Sequence, residues 1–177
     1  MSQPSPRLAA IVATARTILE NHGREGLTMR ALAARLGMQA PSLYKHVADK
    51  DELEALLIAD ALREMGTALR ASLDGLGPRR PARRTAVAAL AKGYRAWALA
   101  HPHPYRLATE GTLPRVRLPV GLEAWTAAPL VEVAGDEDRA RAIWAFAHGM
   151  TILELDGRFP GGADLDAAWD RGVAAFA

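Results

Sequence analysis

T-M-R-A-L-A-A-R-L-G-M-Q-A-P-S-L-Y-K-H-V, residues 28–47, reads as two short helices broken by a glycine. Thr28 suits an N-cap, where its hydroxyl oxygen accepts from an amide that the helix start leaves unpaired. Leu32 and Leu36 stand four apart among Ala31, Ala33 and Ala34, so one narrow stripe is apolar while Arg30 and Arg35 project elsewhere. Gly37 follows the last apolar position, where a left-handed residue ends a helix at little steric cost. Pro41 then fits the first turn of a second helix, because its missing amide would be unpaired there anyway.

The second helix carries the information. Leu43 and Val47 are four apart and can point to a core, while Pro41, Ser42, Lys45 and His46 lie largely on the other side, flanked by Tyr44. A short helix with an apolar back and a front of hydroxyl, ammonium, imidazole and phenol is poorly suited to burial. It suits the major groove of DNA, where such groups meet base edges and phosphates. Spacing alone leaves an ordinary surface helix hairpin as an open alternative.

The flanks supply further ordered segments: an amphipathic first helix, G-x-x-G-L-T at 23–28, R-x-L-A-x-x-L-G at 30–37, P-S-L-Y-x-H at 41–46 and D-K-D-E-L at 49–53. Together, over about residues 6–60, they resemble the DNA-binding domain of the TetR family of bacterial transcriptional regulators. Met38 and Val47 stand where that family often has valine and phenylalanine, and both stay apolar. The resemblance implies that Thr28 and Tyr44 meet phosphates, with His46 and Lys50 at the edges of the contact. It places Arg30, Ala40, Pro41, Ser42 and Lys45 nearest the bases, with Gln39 a candidate for either role. Arg30 or Lys45 can bond guanine acceptors, and Pro41 can touch a thymine methyl.

Composition sets the limits. The chain has 177 residues, half of them hydrophobic, which allows one medium domain or a small domain attached to a larger one. It has no cysteine, so disulfides and thiolate chemistry are excluded. The segment before Pro6 is short and polar, and no apolar run could span a bilayer, so a cytoplasmic protein with no membrane partner is expected. A net charge of +2, from 22 basic and 20 acidic residues, is too small to argue nucleic-acid binding from the whole chain. Arg79, Arg80, Arg83, Arg84, Lys92 and Arg95 form a basic run without an acidic residue, which reads as a solvated face.

Helices are expected throughout, and no alternating β-branched run predicts a sheet. Ser5 and Pro6 open a first helix, carrying Leu8, Ile11, Val12, Ala15, Ile18 and Leu19, that stops near Gly23. Asp49 and Glu52 form a capping-box-like pair that opens a connector helix over residues 50–73, apolar on two sides. Gly75-Leu76-Gly77-Pro78 breaks the chain. Further helices are predicted at 83–100, 121–133, 136–156 and 164–176, with a short piece at 105–110 and a proline-punctuated loop after it. The fold is therefore all-α: a three-helix helix-turn-helix domain in residues 1–50, a connector at 50–73, and a helical effector-binding and dimerisation domain in 74–177.

Catalysis finds no support: there is no phosphate loop, serine elbow or helical His-Glu-x-x-His. His101-Pro102-His103-Pro104 reads as an extended structural loop, with no third ligand to complete a metal site. No cofactor is implied. All four tryptophans and all three phenylalanines lie in the C-terminal region; aromatics fill cores, yet they also line pockets for apolar small molecules. Residues of this region, among them A-F-A-H-G-M-T-I-L-E at 145–154, are similar to the WHG type of C-terminal domain found in some TetR-family members. The family resemblance implies an effector pocket there, with Trp97, Tyr105, Trp125, Trp144 and His148 as candidate lining, and Glu154 near it.

A single reading helix gives too little contact for a specific site, so a two-fold dimer on a palindromic operator is expected. Broad small and apolar faces on the last two helices, holding Ile143, Ala147, Met150, Leu165, Trp169 and Phe176, are the expected dimer interface. The expectation is a ligand-responsive regulator of repressor type, released from double-stranded DNA by a small apolar effector. The alternative is a small-molecule-binding or carrier protein with an incidental hairpin; an enzyme with a helical pocket lacks any acid–base or metal set.

Overall fold

A computed structural model describes residues 5–77 and 81–176. Its described residues form nine α-helices and one 3-10 turn, with no strand. In order these are α1 (Pro6–Gly26), α2 (Met29–Arg35), α3 (Ala40–Leu43), α4 (Lys50–Asp74), α5 (Arg83–Ala100), α6 (Pro102–Thr109), a 3-10 turn at Arg115–Arg117, α7 (Leu122–Ala134), α8 (Glu137–Leu155) and α9 (Leu165–Ala174). The described residues fall into two compact units, one within Met1–Leu62 and His101–Leu122, the other within Arg63–Ala100 and Glu123–Ala177. The division runs through α4.

In the first unit, local chemistry sets most element ends. Ser5 accepts from the Leu8 amide at 3.3 Å and Pro6 occupies the first turn, so α1 begins where the residue types dictate. Its regular winding stops at Gly23, whose φ of 65° and ψ of −174° no β-carbon-bearing residue takes easily. A methyl group there would also meet the His103 ring at 3.3 Å, because α6 lies against α1 at this point. Thr28 caps α2 by accepting from Ala31 N at 3.1 Å, and Gly37 leaves that helix at φ 63°. Asp49 accepts from Glu52 N at 2.6 Å while Glu52 accepts from Ala48 N, one residue before the cap, at 2.6 Å; the two bonds together start α4. Ile11, Ala15, Leu19, Leu27, Leu32, Leu43, Val47, Leu53 and Leu57 are buried to within about one per cent and form this unit's core.

Two segments differ from the sequence reading. The second hairpin helix is regular only over Ala40–Leu43; Tyr44, Lys45 and His46 continue as tight turns, with His46 N bonded to Leu43 O at 2.9 Å and Val47 N to the same oxygen at 3.2 Å. The expected extended loop at residues 101–104 is instead the start of α6. His101 is its N-cap, and Pro102 and Pro104 occupy first-turn positions whose amides have no helical partner to lose. The prolines therefore start a helix rather than prevent one. Residues 101–122, expected with the C-terminal domain, pack in the first unit.

The second unit is built on α5, which packs against α8 and α9. Val87, Leu90, Tyr94, Trp97 and Ala98 of α5, Ala140, Ile143 and Ala147 of α8, and Trp169 and Val173 of α9 are all buried. Gly172 leaves room for the Phe146 ring, which a β-carbon there would run into. Asp136 and Asp164 cap α8 and α9 by accepting from Arg139 N at 2.8 Å and Ala167 N at 2.9 Å. Pro129 lies inside α7 and deprives the Trp125 carbonyl of its helical donor. Arg70 of α4 supplies that donor, and its guanidinium lies 3.8 Å from the Trp125 ring centroid. The break at residues 75–77 is present as a turn; Pro78, Arg79 and Arg80 lie outside the described residues.

Candidate nucleic-acid interface

The hairpin front is open to solvent. Leu43 is 0 % and Val47 1 % exposed, whereas Tyr44 is half exposed and Lys45, His46, Pro41 and Gln39 are exposed. Ala40, Ser42 and Lys50 are half-buried, and Thr28 and Arg30 at the start of α2 are exposed. The alternation follows from the residue types: two apolar side chains seat a four-residue helix, and everything polar around them is left outward. A helix this short has no stability of its own, so the seat is tertiary.

Charges behind the front are organised by pairs the sequence reading did not anticipate. Arg24 donates to both oxygens of Glu54, at 3.1 and 2.7 Å, and Lys50 Nζ lies 3.6 Å from the same carboxylate. Glu54 is the most buried charged residue among those described in the unit, and its carboxylate holds the Arg24 guanidinium above its ordinary pKa. Arg117, in the 3-10 turn, donates to Asp49 at 2.8 and 3.2 Å. Asp49 is held below the usual carboxylate range, chiefly by that guanidinium and next by the Glu52 amide. Partners 30 and 68 residues apart leave no periodic signal in a sequence.

The candidate effector residues do not share one environment. Tyr105 is fully buried in the first unit. In the second, Trp97 is buried, Trp125 is 41 % exposed under Arg70, and Trp144 is 46 % exposed and stacked on His148 at 5.7 Å. Glu154, expected near a pocket, is engaged by Arg95, which also reaches Asp166. Arg95 is therefore a buried-edge clamp and not part of a solvated basic face. Among the described residues no group of three or more His, Cys, Asp or Glu side chains is placed to hold a metal. No helix among them is long and apolar enough to cross a membrane.

Not all of the expected dimer residues lie at the surface of the single chain. Ile143, Ala147 and Trp169 are buried inside the single chain, and Met150, Leu165 and Phe176 are half-buried. The outward face of α8 instead carries Ala142, Trp144, Ala145 and Leu153, with His148 and Gly149 half-buried beside them. Helix α8 is apolar or small on nearly every side, so periodicity could not say which face meets α5.

An exposed polar front on a short helix, seated after a glycine-ended helix and ahead of a capped connector, defines a helix-turn-helix DNA-binding protein. Comparison with known proteins makes the class specific. Residues 11–55 match the family model "Bacterial regulatory proteins, tetR family", and residues 87–176 match "Tetracyclin repressor-like, C-terminal domain". The chain is 34% identical over 164 residues to an uncharacterized HTH-type transcriptional regulator, Rv0681, of Mycobacterium tuberculosis, covering 84% of this chain and 70% of that one. It is 33% identical over 124 residues to the HTH-type transcriptional regulator Mb1846 of Mycobacterium bovis, spanning 70% of this chain and 52% of that protein's length. Among solved structures, a protein of unknown function from Rhodococcus sp. RHA1 superposes with a TM-score of 0.79 at 23% identity, over 99% of this chain and 97% of that one. BioQ with its double-stranded DNA operator gives 0.65 at 23% identity, over 96% of each chain. The chain belongs to the TetR family of bacterial transcriptional regulators. It is a DNA-binding regulator and not an enzyme.

Proposed function

We propose that the chain is a ligand-responsive repressor that holds a palindromic operator as a homodimer and is released by a small apolar effector. The observation that carries the DNA contact is the division at α3, with Leu43 and Val47 inward and Tyr44, Lys45 and His46 outward. Thr28, Tyr44, His46 and Lys50 serve the phosphates; Arg30, Ala40, Pro41, Ser42 and Lys45 serve the bases, and Gln39 lies between the two sets. The test is footprinting on the DNA preceding the protein's own gene, followed by single substitutions. Tyr44→Ala is expected to weaken binding to every duplex alike, with the salt slope nearly unchanged. Lys45→Ala is expected to cost about 1–3 kcal/mol and to relax selectivity at one base position. Unchanged affinity in both would remove this surface as the contact.

For the dimer, the outward face of α8 replaces the buried one. Ala142, Ala145, Gly149 and Leu153 are small or apolar, and a β-carbon at Gly149 would meet nothing within 4 Å, so a second copy can approach closely. Ala145→Glu should give folded monomers that no longer hold the operator, whereas Ala147→Glu should unfold the chain because that site is 4 % exposed. Sedimentation of an intact Ala145→Glu dimer would remove the face. An effector acts only through a difference in affinity between the DNA-fitting arrangement and another. A thermal-shift screen of small apolar molecules, read against operator binding, identifies it.

A further inference from the structure

The start of α4 presents a charge problem to any DNA bound beside it. Asp49, Asp51 and Glu52 surround a single cation, Lys50, in the first turn and its cap. Carboxylates there favour the helix dipole, yet they face the same solvent as Tyr44, Lys45 and His46 just before them. Uncompensated, they would repel the phosphates that Lys50 and His46 are proposed to meet. Arg117 comes from outside the hairpin altogether. It belongs to the same compact unit, and its two donors meet the two oxygens of Asp49 at 2.8 and 3.2 Å.

The turn that carries Arg117 is largely open to solvent. Val116 and Val120 are fully exposed, and Leu118, at 9 %, is its nearest buried side chain. Asp49 does not need the guanidinium for its capping role, since the Glu52 amide already occupies one of its oxygens at 2.6 Å. An arginine delivered across 68 residues onto a cap that is already made adds charge, not helix start. We propose that Arg117 is a positioning residue for DNA binding, covering the Asp49 carboxylate so that the first turn of α4 can lie against phosphates. The proposal rests on the reading of His46 and Lys50 as phosphate neighbours. Withdrawal of the 3-10 turn would uncover the carboxylate and weaken the grip on any sequence, since phosphate electrostatics is blind to base order.

The test uses the full chain and a random-sequence duplex at low salt, beside the DNA preceding its own gene. Arg117→Ala should bind both about threefold more weakly, an effect that fades as salt rises. Asp49→Asn keeps a capping side chain and removes the charge, so it should bind about threefold more tightly. The double variant Arg117→Ala, Asp49→Asn should return to at least wild-type affinity. Thermal unfolding of all four proteins separates cover from tether: a merely structural arginine would lower the melting temperature and would not be rescued by Asp49→Asn. A double variant as weak as Arg117→Ala overturns the proposal, as does Arg117→Ala binding like wild type. If Tyr44→Ala and Lys50→Ala are also without effect, the contact surface itself falls; if they weaken binding, only the role of Arg117 does.

Discussion

Leu43→Ala is expected to lower the free energy of unfolding by about 2–5 kcal/mol and to abolish operator binding under conditions where wild type is saturated. The side chain is fully buried, so truncation loses its transfer free energy and leaves a cavity that close-packed neighbours fill only in part. Stability alone understates the consequence. Helix α3 has four residues, too few to persist unaided, and its fully buried anchors are Leu43 and, just beyond its end, Val47. Every candidate base-contacting group from Ala40 to Lys45 hangs on that seat, so a loosened leucine disorders the whole front at once. Urea unfolding with an unchanged m-value, paired with binding at a temperature where the variant stays folded, separates the two losses. Leu43→Met conserves volume and should cost less than about 1.5 kcal/mol with binding kept. Lys45→Ala should do the opposite, sparing stability while weakening binding. A Leu43→Ala protein that melts and binds like wild type would show that the reading helix is seated by something else.

What the sequence reveals here is local. Thr28, Pro41, Gly37, Asp136 and Asp164 each act on amides or carbonyls within a few positions of themselves, so residue type and spacing suffice to place them. The all-helical class and the hairpin were legible for that reason. Failures came where a partner lies far along the chain or where one pattern serves two ends. Pro102 and Pro104 read as breakers because proline is both a helix breaker and a helix opener; only the contact of α6 with α1 decides. Which face of α8 meets α5 is not legible, because Ala140, Ala142, Ile143, Trp144, Ala145, Phe146 and Ala147 surround the helix with apolar surface. Arg24 on Glu54 and Arg117 on Asp49 are invisible to periodicity, and so is the service Arg70 does for the carbonyl that Pro129 leaves without a donor.

In the second unit, Arg95→Ala is expected to cost about 3–5 kcal/mol. Arg95 stands on α5 and donates to both oxygens of Glu154 on α8, at 2.8 and 2.7 Å, and to Asp166 on α9 at 2.6 Å. It also lies 5.6 Å from the Trp169 ring centroid, so one side chain ties three helices. Magnitude follows from burial, not from the number of bonds. Glu154 is only 15% exposed and would be left as a poorly solvated carboxylate, whereas Asp166 is 86% exposed and can turn to water. Asp166→Ala should therefore cost under about 1 kcal/mol. Combining Arg95→Ala with Glu154→Leu should restore much of the loss, because the penalty lies in stranding the carboxylate and not in the pair's net attraction. Since α8 carries the proposed dimer face, Arg95→Ala should also raise the dimer dissociation constant while leaving Leu43 and the reading front folded. Equal costs for Arg95→Ala and Asp166→Ala, or no recovery in the double variant, would mean that packing of Trp169 and Phe146 holds these helices and the clamp is incidental.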